Sequence, residues 1–521
     1  MNKNTRAVIG WIGLAILTVS PGWSAAASTA NKIAPDLRTS LSIAREQRVI
    51  VTYRAGLNEA SVADLIMKSG RTARRFDRAP AFAASLGQRE VENLASDPRV
   101  SAISPDRKIV ATMDVAIPTI GADKLTRYLG YTGKGVTVAV IDSGISMTSA
   151  IPAGKLLASV DFTGTLTTAD RFGHGTHIAG TIAGTGEKGA VRGVAPAANL
   201  VSLRVLDASG QGYVSSVISA IDWTIANRKK LGIRIVNLSF GHPPAESYRT
   251  DPLTQAVERA WASGLVVVAS AGNRGRDGYF TINAPGNDPY VLTIGAMNDV
   301  NTPTRTDDVK TTYSSKGPSY GDHILKPDLV APGNRIVSCL APGATLARLY
   351  PDRVISKDRL ELSGSSMAAA VVSGAVAMLL ERNPHLTPDQ VKAILLYSAD
   401  RMTGEDRFAI GAGYMNLIHA VAMTGQFRPV RFNSASPIVE RDPDGGYDLV
   451  HTAPLVSTDT AIWGDTAIWG DTAIWGDSVL IRGDRDRPVF RPTPLPISPV
   501  VPRVPAAPAT TMPTTAPRVK F

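Results

Sequence analysis

Cysteine is almost missing from this chain. Cys339 stands alone among 521 residues, so no intramolecular disulfide can form even in an oxidising compartment. A lone thiol acts as a nucleophile only beside a base, and Cys339 reads instead as a small buried hydrophobe. Long apolar runs are scarce as well. Lys3 and Arg6 precede an apolar stretch from Ala7 to Val19 that closes at Ala25-Ala26-Ala27, the pattern of a cleavable export signal and short for a membrane span. No later stretch reads as a span, so an exported protein without a transmembrane segment is expected, secreted or held in the periplasm or cell envelope. The body also lacks net charge. The formal +10 is carried by residues 1–112 and 478–521, which leaves 113–477 close to neutral. The basic pI thus belongs to peripheral parts, and no nucleic-acid site is expected.

What is present divides the chain. Residues 28–112 alternate short strands, Val49 to Tyr53, Ala81 to Ser85 and Val100 to Ile103, with helical stretches Ala60 to Gly70 and Arg89 to Ser96, an α+β unit with a modest core. Ala111 to Ile120 reads as an exposed connector open to cleavage. From there apolar strands alternate with helices, the pattern of a parallel sheet covered on both faces. The strands are Val136 to Ile141, Leu200 to Leu206, Ile235 to Ser239 and Leu265 to Ser270; a helix runs from Val214 to Asn227. Ser366 stands where Ser363-Gly364-Ser365-Ser366-Met367-Ala368 enters an apolar helix. Ligands of such sheets gather beyond the carboxyl ends of the strands. Asp142, Ser239 and Asn273 follow strands, while His174 and Ser366 open helices on the same side, so five polar side chains should share one crevice.

Serine becomes a nucleophile when an imidazole takes its proton. A carboxylate behind the imidazole fixes its tautomer, and an asparagine amide can hold the oxyanion. Asp142-Ser143-Gly144, His174-Gly175-Thr176-His177-Ile178-Ala179-Gly180, Ala271-Gly272-Asn273 and Gly364-Ser365-Ser366-Met367-Ala368 resemble, in that order, the four signatures of subtilisin-like serine proteases, over roughly residues 28–425. The resemblance implies a three-layer α/β/α domain with a mostly parallel sheet at 113–425, preceded by an inhibitory propeptide at 28–112 and a signal at 1–27. It implies Asp142 as orienting acid, His174 as general base, Ser366 as nucleophile and Asn273 in the oxyanion hole. It also implies a substrate groove made by Ser209, Gly210, Gly212, Ser239, Phe240, Gly241, Ala271 and Gly272, and packing for His177. No cofactor is implied for the chemistry. Structural calcium is common in the family, but its ligands cannot be placed. Ser365 replaces the usual Thr, and Ala369-Ala370-Val371 replaces Ser-Pro-His; neither change touches the reacting atoms. Arg274, after Asn273, is expected to disfavour basic side chains just before the cleaved bond.

Two patterns are set aside. Gly184 to Gly189 spells a dinucleotide-binding glycine series but follows a helix instead of a strand. Asp442 to Asp448 spaces carboxylates like a calcium loop without its distal glutamate. Beyond Gly425, Asp459-Thr460-Ala461-Ile462-Trp463-Gly464 recurs twice more by Gly476, and 488–521 is a Pro-rich tail expected to be extended. The whole is expected to be a monomeric, self-processing endopeptidase acting on proteins or peptides with its own propeptide as inhibitor. The alternatives are an inactive binding or adhesion module and a serine esterase.

Overall fold

The computed structural model describes residues 32–450 apart from 42–44, 70–72, 77, 107, 112–118, 301–304, 306, 403–404, 425–433 and 442–446. The expected signal segment, the Trp repeats, the Pro-rich tail and most of the Asp442–Asp448 series lie outside the described residues.

The first unit contains α1 (Pro35–Leu41), β1 (Gln47–Tyr53), α2 (Glu59–Lys68), β2 (Arg74–Arg75), β3 (Ala81–Leu86), α3 (Gln88–Ser96) and β4 (Val100–Pro105). Its antiparallel sheet has the order β2-β3-β1-β4. Asn58 starts α2 by accepting the Ser61 N–H at 2.9 Å, which satisfies a helix-end donor. Alternation along the strands divides the buried side chains. Val49, Val51, Phe82 and Leu86 meet Leu65, Val91 and Leu94 in a separate core, whereas Ile50, Ala81 and Ala83 join the main core of the chain. The sheet is therefore buried on both faces, one under its own helices and one against the body. Polar contacts fix that docking. Asp106 accepts the N–H and hydroxyl of Ser215 at 2.8 and 2.6 Å, and Arg48 binds Asp106 at 2.7 Å while lying 4.1 Å over the Tyr213 ring.

Next come β5 (Lys108–Ala111) and α4 (Ala122–Leu129). The connector expected at Ala111 to Ile120 is buried at its far end. Ala111 closes β5, and Thr119 and Ile120 are buried. Thr119 is anchored by its hydroxyl to Asp299 at 3.2 Å and through its carbonyl to Arg305 at 3.1 Å.

The body is built on β6 (Thr137–Asp142), β7 (Leu156–Asp161), α5 (His174–Ala183), β8 (Asn199–Arg204), β9 (Gln211–Tyr213), α6 (Val214–Leu231), β10 (Ile233–Leu238), β11 (Phe240–Gly241), α7 (Pro252–Ala262), β12 (Val266–Ser270), β13 (Leu292–Asn298), β14 (Val309–Lys310) and β15 (Leu329–Pro332). They are followed by α8 (Ser365–Arg382) and α9 (Pro388–Ser398). The large sheet runs β14-β13-β12-β10-β6-β8-β7, with β15 also on β13. Every pairing is parallel except that of β14. Helices α5 and α8 pack on each other and α6 and α7 on each other, and both pairs touch β6 and the neighbouring strands. Two separate pairs over the same strands must lie on opposite faces, which makes three layers. All of β6 is buried, as a strand covered on both sides requires.

Helix α8 corrects one expectation. It is long and apolar enough to cross a membrane by length and composition, yet 89 % of it is buried in the protein. Its apolarity serves a central core position, as its all-round burial from Ser365 to Leu380 demands.

The packed body continues past the boundary expected at Gly425. Leu325 donates its N–H to Pro437 O at 2.8 Å, Val439 to His323 O at 2.8 Å, and Ser436 to Pro289 O at 2.8 Å. Residues 434–441 thus lie along the body as a strap.

Candidate active site

Three edges of the fold converge where the sequence places the polar residues. Strand β6 ends at Asp142, β10 is followed by Ser239, and β12 by Ala271-Gly272-Asn273. His174 and Ser366 lie in the first turns of α5 and α8, which pack together.

Asp142 and His174 are both fully buried. His174 Nδ1 is 2.8 and 3.0 Å from the two oxygens of Asp142. Two carboxylate oxygens facing Nδ1 place the ring proton there and leave the lone pair on Nε2. The approach needs Gly175. A Cβ at that position would come 2.2 Å from the Gly144 carbonyl and 3.1 Å from the Asp142 Cβ, so any side chain would push α5 away from the end of β6.

A polar frame that the sequence did not single out holds this corner. Buried Asp170 accepts from the Ser143 hydroxyl (2.8 Å), the Gly173 N–H (2.7 Å), and the N–H and hydroxyl of Thr176 (2.8 and 2.7 Å). Burial raises its pKa against those hydrogen bonds. Locally the sequence offers only an acidic residue shortly before α5, whose N-cap position is taken by Gly173.

Ser366 donates its hydroxyl to the Ser239 carbonyl at 2.9 Å, and Ser239 returns its own hydroxyl to the Ser366 carbonyl at 3.0 Å. Asn237 and Ser373 continue the network beneath them, at 2.8 and 2.9 Å. Asn273 is held by one end of its amide. Its Oδ1 accepts from the N–H and hydroxyl of Ser365 at 3.0 and 3.1 Å, while its buried Nδ2 has no partner among the described residues. The substituted Ser365 keeps this orienting bond and accepts the Gly272 N–H at 3.0 Å.

The residues expected to form the substrate groove flank a strand. Backbone β5 lies between β9 and β11, antiparallel to both. Ile109 pairs with Gly212, Val110 with Gln211 and Gly241, and Ala111 with Phe240. Gly212, Phe240 and Gly241 thus all pair with β5, and Gln211 and Tyr213 are further pairing residues. Ser209 and Gly210 stand apart from that pairing. They form the turn before β9, where the Ser209 hydroxyl is bound to Asp207 at 2.7 Å and the open side of Gly210 faces the Phe172 ring. Ala271 and Gly272 form the base of the Asn273 segment, joined to Ile294 O and Ser365 Oγ at 2.9 and 3.0 Å.

Other expectations resolve simply. His177 Nε2 lies 2.9 and 3.2 Å from the carbonyls of Ile336 and Leu360, and burial lowers its pKa to about 3, so it packs as a neutral donor. Cys339 is buried, and desolvation raises its thiol to about 11, which removes thiolate chemistry near neutrality. Arg274 Nε is 3.4 Å from Asp277 Oδ2. A carboxylate three residues away partly offsets its charge in an exposed pair. Among the described residues no three His, Cys, Asp or Glu side chains gather to hold a metal. One loop does collect oxygens around a cation, and that cation is the Arg204 guanidinium, held by Asp161, Thr163 and the Thr167 carbonyl at 3.0, 2.8 and 3.0 Å.

Comparisons with known proteins bear on the family and the fold. A sequence model of the subtilase family matches residues 133–413. The chain is 33 % identical over 399 residues to serine protease AprX of Bacillus subtilis, covering 74 % of this chain and 89 % of that protein. It is 32 % identical over 382 residues to subtilisin E of the same organism, covering 71 % and 90 %. Among solved structures, fervidolysin of Fervidobacterium pennivorans, described as a keratinolytic enzyme related to subtilisin, superposes with a TM-score of 0.58 at 20 % identity. That match covers 72 % of this chain and 61 % of fervidolysin, less than two thirds of its length, and bears on fold alone.

Proposed function

The chain belongs to the subtilase family and is a subtilisin-like serine protease, and from that premise we propose that it is an exported endopeptidase working through Asp142, His174 and Ser366. The buried Asp142–His174 pair supports the base, since a proton fixed on Nδ1 makes Nε2 the acceptor for the Ser366 hydroxyl once that hydroxyl turns from the Ser239 carbonyl. The oxygen so activated attacks the substrate carbonyl carbon. The resulting oxyanion is met by the Asn273 amide, whose nitrogen is unpartnered while Ser365 holds its oxygen. Imidazolium then protonates the departing amine, and water repeats the sequence on the acyl-serine.

The observation that carries this reading is β5, a stretch of polypeptide held on both edges by β9 and β11 and ending beside Phe240, the residue after Ser239. Main-chain pairing on two edges suits extended protein substrates of varied sequence. Residues 28–112 are accordingly read as an inhibitory propeptide whose last strand occupies the groove, and residues 1–27 as the export signal. The enzyme matures by cutting just beyond β5.

The test is Ser366→Ala, expressed and purified beside the wild type. Intact mass should give a full-length variant retaining the N-terminal unit, and a wild type from which it has been removed. Only the wild type should take a fluorophosphonate label and degrade casein. Loss of the N-terminal unit from the variant in a protease-free preparation would sink self-processing. A labelled wild type that leaves casein intact would sink the endopeptidase reading.

A further inference from the structure

A cavity of about 530 Å³ opens beside the nucleophile turn, reaching Ser363, three residues before Ser366, and Arg276, three residues after Asn273. Its position relative to the groove follows from β5. That strand fills the side lined by β9 and β11, and ends at Ala111 against Phe240. None of the pairing residues of β9 or β11 lines the cavity. The cavity is thus walled from the nucleophile turn and from the segment after Asn273, apart from the β9 and β11 pairing, which makes it a candidate seat for the chain beyond the cleaved bond.

Its charge is uneven. Arg276, Arg335 and Arg353 face Asp352 and Glu361. Arg353 is 3.2 Å from Asp352, and Arg335 and Arg353 are each 3.7 Å from Glu361. Both acids are therefore engaged by arginines. Arg276 is exposed, its Nε donates to the Thr312 hydroxyl at 3.3 Å, and it has no carboxylate partner among the described residues. The neighbouring Asp277, which could have supplied one, pairs with Arg274. One guanidinium is thus left to receive an anion. Another lining residue is set with some strain, since Arg335 has φ +62°, a left-handed conformation uncommon for a residue with a Cβ and often associated with functional positions. The Arg335 N–H is directed to the Ser363 hydroxyl at 3.4 Å, so the backbone that carries this arginine is tied to the nucleophile turn.

We propose that this cavity is a specificity subsite for an acidic side chain within the first three residues after the cleaved bond, with Arg276 as the cation that selects it. The proposal rests on the endopeptidase reading. Guanidinium to carboxylate is a directional, bidentate match, and an exposed pair of this kind contributes a modest, salt-sensitive preference. The groove pairing of β9 and β11 selects main chain; Arg276 adds a choice of side chain.

The test uses the mature wild-type enzyme and quenched fluorescent peptides with amidated C-termini that share one cleavage site and differ only in Glu, Gln or Lys at the first, second or third position after it. In low salt, kcat/KM should favour Glu over Gln roughly three- to tenfold at one of those positions, and the ratio should shrink in 0.5 M salt. In Arg276→Ala the Glu-to-Gln ratio should fall to about one, and Arg276→Glu should reverse it in favour of Lys. Because each ratio is taken within a single variant, a general loss of active enzyme leaves it unchanged. Equal rates for Glu and Gln in the wild type, or a Glu preference that survives in Arg276→Ala, would overturn the subsite. A wild type that cuts none of the peptides fails the endopeptidase reading itself, and the subsite falls with it.

Discussion

At Asn273 the two ends of one amide are treated differently. Oxygen is fixed by Ser365, and nitrogen is left without a partner in a buried position, a costly arrangement unless a ligand or reacting atom fills it. Its energy is best recovered when negative charge develops nearby, so the effect belongs to the transition state. Asn273→Ala should therefore lower kcat on the order of 10²- to 10³-fold, the size known for losing one such donor, with KM nearly unchanged. A rise in KM with kcat intact would show that the amide binds ground-state substrate instead. The sequence made this residue legible because it follows a buried strand, as do Asp142 and Ser239. Its partner was less visible. Ser365 lies 92 positions away, and nothing local announces that its hydroxyl is the hook that turns the amide. The same holds for Arg276. Three arginines from separate segments make one cavity, and only the folded chain brings them together.

Among the elements, β7 is entered through a buried lysine. Lys155 donates to the carbonyls of Pro196 and Ala198 at 2.7 and 2.8 Å, and burial lowers its pKa from 10.5 to about 8. Between these values the unfolded chain holds a proton that the folded chain has released, so stability rises with pH across that window. Below about pH 8 the lysine is charged in both states, and the cost of burying it is present in full. In a Ser366→Ala background, which prevents self-digestion, Lys155→Met should flatten the gain in unfolding free energy between pH 8 and pH 10 relative to the parent. Parallel pH profiles for the two proteins would exclude this role. Hydrophobic periodicity predicted the surrounding strands and helices well. Helix α6 extends to Leu231 beyond the expected Asn227, and α2 ends at Lys68 before the expected Gly70, shifts of a few residues at frayed ends. Periodicity could not reveal that β5 would pair with β9 and β11, because a short strand takes its place from its partners.

Across the whole molecule, the segment after the family-matched region is tied to fully buried ionisable side chains of the body. Lys326, Asp328 and Lys392 are completely buried, with Asp328 at 2.7 Å from Lys326 and 3.1 Å from Lys392. Two lysines share one carboxylate, and polar atoms must supply the remaining bonds. The strap provides one of them. Ser436 donates to Asp328 at 2.5 Å and accepts from Lys392 at 2.9 Å. Composition placed the end of the domain near Gly425, because the apolar pattern fades there; it gave no sign that one serine beyond that point would close an ionic network. Removing the hydroxyl leaves buried charge short of a partner, a loss of about 1–3 kcal/mol. Ser436→Ala, again in the Ser366→Ala background, should unfold at lower urea concentration with an unchanged slope. A chain ending at Gly425 should lose more, since it also gives up the backbone bonds of Ser436, Pro437 and Val439. If the shortened chain unfolds at the same midpoint as the full one, the strap is dispensable and the domain ends where composition placed it.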